Sequence, residues 1–266
     1  MVDYHLHTSR CCHATGTMEE YLVAAEENEL QEIGFADHYP LGLLGCKPRS
    51  QVTMHPEELP EYIMQVEELR AASKTVRVKL GIEVDYLPGT EQKTRSLLQA
   101  QKFDYVIGSI HFLGDWDFTH PIYADHYKEK DLSELYSRYF NLVWDLCYSR
   151  LFDIVGHIDV IKKFGYRPQE SLEPYWVKTA QVLSETGTCL ELNTAGRDAP
   201  VGDFYPDRRL LEICCAEGVW VTIGSDAHSP DQVGRYMPEA LDLLKSVGYR
   251  EITVFDQRKK SSVSLD

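Results

Sequence analysis

The chain has 266 residues and a formal net charge of −15, with 43% hydrophobic and 26% charged residues. That length suits one large α/β domain with a full core, and the composition excludes disordered, collagen-like and coiled-coil classes. The acid excess argues against a broad nucleic-acid surface, which needs many Lys and Arg contacts to phosphate, and no apolar run approaches the roughly 18 residues that span a bilayer. No basic segment followed by an apolar one opens the chain, so a cytoplasmic protein acting on small molecules, with no nucleic-acid or membrane partner, is expected. The seven cysteines show no C-x-x-C spacing and read as reduced thiols, several of them core filler.

Seven near-continuous apolar segments, rich in Val, Ile and Tyr, read as buried strands: 2–7, 32–38, 78–85, 105–111, 152–157, 189–193 and 219–226. Helical patterns lie between them. Thr17-Met18-Glu19-Glu20 is a capping box opening a helix over 21–29. Pro56 and Pro60 introduce a helix over 61–72, Thr90 is placed to cap 91–101, and 132–150 is amphipathic. Helices over 171–186, 207–217 and 230–247 run into Gly187, Gly218 and Gly248 as C-terminal stops. Alternation of this kind implies a parallel sheet, and seven repeats in this length imply a barrel, within a single domain over 1–266. Residues 251–255 are expected at the barrel rim and 259–266 as a frayed tail. The connections 39–55 and 112–130 are long, which usually marks function or disorder.

The residues that carry chemistry recur at the C-terminal ends of the strands. His5 and His7, two apart on a strand, point the same way. After them come Asp37 and His38, Glu83, His111, His157, Glu191 and Asn193, then Asp226 and His228. In a βα barrel all these ends meet at one face. Burying so many ionisable groups together is costly unless they are paired or bind metal, so the pattern points to a metal site.

The set His5-x-His7 with His13, Asp37-His38, Gly81-Ile82-Glu83, Gly108-Ser109-Ile110-His111-Phe112, Gly156-His157-Ile158-Asp159 and Gly224-Ser225-Asp226-Ala227-His228 resembles the polymerase-and-histidinol-phosphatase (PHP) superfamily. Within it the likeness is greatest to the monofunctional L-histidinol-phosphate phosphatases. The resemblance implies a distorted (β/α)7 TIM-like barrel holding two or three divalent ions, zinc, iron or manganese. It also implies the ligand sets. One ion takes His5, His7, Glu83 and Asp226; a second shares Glu83 and takes His111 and His157; a third takes His13, His38 and His228. Asp37 is the rival of His38 and a candidate for orienting a ligand or protonating the leaving group, and Asp85 is the rival of Glu83. His55, His120 and His126, on the long connections, are not expected as ligands, though one of them could touch substrate.

The implied reaction is phosphomonoester hydrolysis in histidine biosynthesis. Divalent ions lower the pKa of a bound water from about 15.7 to about 7 and neutralise phosphoryl oxygens, so metal-activated hydroxide is the expected nucleophile. Arg197 is the first candidate for the phosphate, then Lys162 or Lys163, then Arg10. Asn193 stands beside them. Asp115, Trp116, Asp117 and Phe118 are candidates for the cationic end of a substrate bearing an ammonium and an imidazole. Three other readings compete. One is a related phosphoesterase acting on nucleotides or phosphotyrosine, and another is a non-catalytic, metal-binding regulatory barrel. The third is an amide hydrolase, which would use a carbamylated lysine at a strand end, and no strand here ends in lysine.

Overall fold

A computed structural model describes residues 1–46 and 52–265. Positions 47–51 of the first long connection and the final tail residue lie outside the described residues. Parallel strands form two sheets. β1 (Val2–Leu6), β2 (Glu32–Phe35) and β3 (Arg77–Leu80) make one in that order. The second contains β4 (Glu83–Asp85) and β5 (Ile107–Ser109). A hairpin of β6 (Phe112–Leu113) and β7 (Trp116–Asp117) interrupts the sequence before β8 (Ile154–Val155), β9 (Cys189–Asn193) and β10 (Val221–Gly224) complete that sheet in the order β10-β9-β8-β5-β4. Backbone hydrogen bonds at the strand ends link the sheets. His7 N–H reaches the Ala227 carbonyl (2.9 Å) and Ala227 N–H the His5 carbonyl (3.1 Å), while Glu83 N–H reaches Asp37 (3.0 Å) and Tyr39 N–H reaches Glu83 (2.7 Å).

The single strand expected over 78–85 is broken at Gly81-Ile82. The Tyr105 ring is wedged against this break and the neighbouring strand: a Cβ on Gly34 would sit 2.0 Å from its hydroxyl, and one on Gly81 would sit 2.3 Å from the ring. Only glycine permits that approach. Tyr105 is fully buried and donates to the Tyr4 carbonyl (2.7 Å), and Tyr4, Tyr105 and Phe255 pack with centroids 4.9 to 6.0 Å apart. Aromatic pairs of this kind add about 0.5–1.5 kcal/mol each beyond their buried area.

Helices α1 (Met18–Glu27), α2 (Leu41–Leu44), α3 (Leu59–Ala72), α4 (Glu91–Gln99), α5 (Leu132–Tyr148), α6 (Glu173–Thr186), α7 (Arg208–Ala216) and α8 (Met237–Val247) fill the connections. The capping box forms, with Thr17 N–H on Glu20 Oε2 (2.8 Å) and Glu20 N–H on Thr17 Oγ1 (3.3 Å). Thr90 does not cap α4, because its hydroxyl turns back to the Leu87 carbonyl (2.7 Å). Gly187 and Gly248 end α6 and α8 in the left-handed conformation that glycine adopts freely. The helix expected from 230 begins only at Met237, since Gly234 and Tyr236 (φ 69° and 56°) break the run after a short turn. Nor does the tail fray. β11 (Glu251–Asp256) pairs antiparallel with β12 (Lys259–Ser264), Glu251 opposite Ser264 and Asp256 opposite Lys259. β12 is exposed along its length, so it has none of the apolar alternation that marks a strand in sequence. No helix among the described residues is long and apolar enough to cross a membrane.

Candidate metal centre

Strand ends bring the imidazoles together, and His5, His111, His13 and His228 are steered from behind. His5 Nδ1 donates to Glu191 Oε1 (2.6 Å) and His111 Nδ1 to Asp85 Oδ1 (2.9 Å). His13 Nδ1 and His228 Nδ1 donate to the carbonyls of Cys11 (2.8 Å) and Asp226 (3.0 Å). These partners place a proton on each Nδ1 and turn Nε2 inward, the arrangement in which a histidine binds metal once its Nε2 is free of a proton. Glu191 is shared: its Oε2 accepts from His157 N–H (2.7 Å) and from the Asn193 amide (3.0 Å). A Cβ on Gly224 would lie 2.2 Å from Glu191 Oε1 and 2.6 Å from His5 Cβ, so glycine there leaves room for this pair.

Glu83 stands at the middle, 1% exposed, with an oxygen turned to each side. Oε2 faces His38 Nδ1 (2.8 Å), His5 Nε2 (3.5 Å) and His7 Nε2 (3.8 Å); Oε1 faces His157 Nε2 (3.1 Å) and His111 Nε2 (3.6 Å). Asp226 Oδ1 lies 3.0 Å from His7 Nε2 and 3.9 Å from His5 Nε2. His111 and His157 approach Nε2 to Nε2 at 3.3 Å, and His13 and His228 at 3.0 Å. His5 Nε2 and Glu83 Oε2 are buried without a hydrogen-bond partner among the described residues. With no proton on Nε2 the two are facing acceptors, which repel unless a cation lies between them. Their 3.5 Å separation is close to the roughly 3.4 Å that two donors hold around a tetrahedral ion at about 2.1 Å from each. Donor atoms of His5, His7 and Glu83 all lie within 4.8 Å of one another, as do those of His5, His157 and Asp226 and of His7, His38 and His228.

Charge in the metal-free protein follows from this crowding. Burial opposes charge on Glu83 and on Asp226. The imidazoles nevertheless hold both carboxyls well below the usual range, led by His38 and His5 on Glu83 and by His5 and His7 on Asp226. Burial likewise opposes a proton on His7 and His111, but neighbouring carboxylates, Asp226 and Asp37 for the first, Asp85 and Glu83 for the second, push both up to about 9. His13 is lowered to about 4 by burial and by His38 and His7. Asp226 and His157 adopt positive φ (52° and 23°), which side-chain-bearing residues avoid and which clusters at functional sites.

A cavity of about 640 Å³ opens over the imidazoles, walled by His120, Lys163, Asp117, Phe112, Tyr205 and Arg235 among others. Several residues expected there lie elsewhere. Lys162 is 1% exposed and points away, paired with Asp159 (2.9 Å) and Asp207 (3.2 Å) and bonded to the Phe204 carbonyl (2.8 Å). Only Lys163 of the pair lines the cavity, because adjacent residues on a helical turn face different directions. Arg197 is exposed, donating to the Gly202 carbonyl (3.4 Å) and lying against Phe204 and Tyr236 outside the wall. Arg10 is taken by Gln65, Glu58 and Glu61 of the α3 region. Asn193 is fully buried, its amide bridging Glu191 and Asp226 (3.4 Å) and its oxygen accepting from Ala195 N–H. Trp116 packs edge-on against Tyr127, and of the four candidates at 115–118 only Asp117 lines the cavity. Asp37 sits behind His7, 3.5 Å from its Nδ1, and takes Thr8 Oγ1 and His38 N–H as hydrogen-bond donors. It is fully buried and does not line the cavity. His55 and His126 are exposed and do not line the cavity.

Reading the sequence missed three members of this arrangement. Glu191 was visible at a strand end but had no role assigned. Arg235 lay seven residues past the last motif with nothing to single it out. Cys11, read with the other cysteines only as a reduced thiol, has its sulfur within 4.8 Å of donor atoms of His13 and His228.

The PHP domain family matches residues 3–195. A probable histidinol-phosphatase of Deinococcus radiodurans is 38% identical over 260 residues, covering 97% of this chain and 98% of its own. The histidinol-phosphatase of Lactococcus lactis is 23% identical over 272 residues, covering 98% of each chain. A crystal structure of histidinol phosphate phosphatase from that organism, complexed with zinc, L-histidinol and phosphate, superposes with a TM-score of 0.84 at 22% identity, over 98% of each chain. With a strand-end donor set of this kind and a family match over most of its length, the chain belongs to the PHP domain family.

Proposed function

We propose that this chain is a metal-dependent phosphomonoesterase that hydrolyses L-histidinol phosphate to L-histidinol and phosphate. The observation that carries the reading is Glu83, whose two oxygens each meet a separate set of inward-facing Nε2 atoms. The relative from Deinococcus, similar end to end, supports the substrate. Two or three ions are proposed, of zinc, iron or manganese. His5, His7, Glu83 and Asp226 would hold one; Glu83, His111 and His157 would hold a second; His13, His38 and His228 would hold a third. The two sheets are read as one distorted (β/α)7 barrel, supported by the Leu6–Ala227 and His38–Glu83 links. Divalent ions held there would acidify a water and neutralise phosphoryl charge.

The rest falls to side chains. Lys163 provides a cation in the cavity wall for phosphate charge that remains unmatched. Asp117 has one oxygen, Oδ1, committed to Thr119 and His120 of its own loop, and its second is proposed to face the substrate's ammonium and imidazole. Asp85 and Glu191 hold the ligand rings in register. The test is phosphate release by metal-reconstituted protein from a panel of L-histidinol phosphate, p-nitrophenyl phosphate, phosphotyrosine and nucleoside monophosphates. A clear preference for L-histidinol phosphate is expected. Equal low rates on all substrates would remove the substrate assignment and leave the family.

A further inference from the structure

Asp3 stands two residues before the first inward-facing histidine and is fully buried, yet it does not line the cavity. Three backbone N–H groups converge on its carboxylate. Oδ1 accepts from Ser225 (2.8 Å) and from His5 (3.3 Å), and Oδ2 accepts from Gly234 (2.9 Å). Arg235, next to Gly234, approaches the same segment. Its Nε and Nη2 donate to the Ser225 carbonyl (3.0 and 2.9 Å), Nη2 also reaches the Asp226 carbonyl (3.1 Å), and Nη1 is anchored on Asp198 (2.9 Å). Ser225-Asp226 is therefore held by its N–H on one side and by two carbonyls on the other.

Asp226 is the residue in that segment at φ 52°, a conformation that L residues resist unless their surroundings impose it. Relaxing it would swing the carboxylate from His7 Nε2, 3.0 Å away, and from His5. We infer that Asp3 and Arg235 form a clasp that fixes the backbone of Asp226 and so aims its carboxylate into the imidazole cluster. Both are positioning residues. The inference rests on the metal-dependent reading above.

Residue chemistry explains why neither is replaceable by a near neighbour. An asparagine at position 3 keeps one acceptor oxygen for three N–H donors and turns its own N–H₂ toward another. A lysine at position 235 brings a point charge where a planar fork spans two carbonyls and a carboxylate.

The test uses full-length Asp3→Asn and Arg235→Lys proteins, with zinc affinities from chelator competition, the Tm of the metal-free forms, and steady-state kinetics. Each variant is expected to lose affinity for one ion by about 10–100-fold, to keep the remaining ions, and to recover kcat in excess zinc with little change in KM. Wild-type affinity for every ion overturns the clasp, even where the metal-free Tm falls. A raised KM with unchanged zinc affinity in Arg235→Lys also overturns it, because it makes Arg235 a substrate contact. If Asp3→Asn does not fold, Arg235→Lys decides by the same outcomes. Failure of the wild type to bind zinc, iron or manganese would instead sink the metal-dependent reading itself.

Discussion

Glu83→Gln is the most revealing single change. The substitution keeps shape and volume but removes the carboxylate that faces both sets of Nε2 atoms, His5 and His7 on one side and His111 and His157 on the other. Taking one partner from a buried ionic arrangement costs about 3–5 kcal/mol. At about 1.4 kcal/mol per tenfold, metal affinity should fall by about 10² to 10⁴. Because one residue serves both sides, two ions should weaken together, whereas loss of His111 alone should weaken one. Chelator competition followed by elemental analysis measures this directly, and phosphate release should fall in proportion to the ions lost. A Glu83→Gln protein that kept every ion at wild-type affinity would refute the proposed bridging role.

Two further outcomes follow from the same geometry. In the metal-free protein His7 and His111 hold their protons up to about 9, and both rings must release them to present Nε2 to metal, so metal affinity should rise with pH toward 9 and fall below it. Calorimetry at pH 7 in buffers of different ionisation enthalpy should detect protons released on binding; none released would contradict the charge assignment. Lys162→Met should destabilise the fold by about 3–5 kcal/mol, since it leaves the buried Asp159 without its cation while Asp207 keeps Arg167 (2.8 Å), yet leave KM unchanged. Urea unfolding and kinetics separate the two effects, and a large rise in KM would return Lys162 to the cavity.

Much of this site was legible because one rule, that the parallel strands of successive βα units end at a common face, turned scattered residues into a cluster. His5 and His7 needed only the two-residue period of a strand, and Glu83, His157 and Asp226 needed only the end of an apolar run. Direction within a turn was not legible. Lys162 and Lys163 are equivalent in sequence, and only the packing of Lys162 against Asp159 and Asp207 separates them. Nor could spacing show whether a carboxylate meets an Nε2 or backs an Nδ1: Glu83 does the first, while Asp85, two residues on along the same strand, does the second. Arg197 looked well placed because it follows Asn193 closely, but the chain turns its guanidinium out over Phe204 and Tyr236. The cation that lies beside Asp226 is Arg235, brought there by the loop before α8. β12 was missed for the simplest reason, since Lys259 to Ser264 is a polar run whose pairing depends on β11.

The most direct measurement of the central claim is the rate of phosphate release from L-histidinol phosphate as a metal-stripped protein is titrated with zinc, iron or manganese. Activity should be absent in the stripped protein, climb with each equivalent to a plateau at two or three ions per chain, and disappear again with chelator. Full turnover in the stripped protein, or a plateau reached with no ion retained, would contradict it.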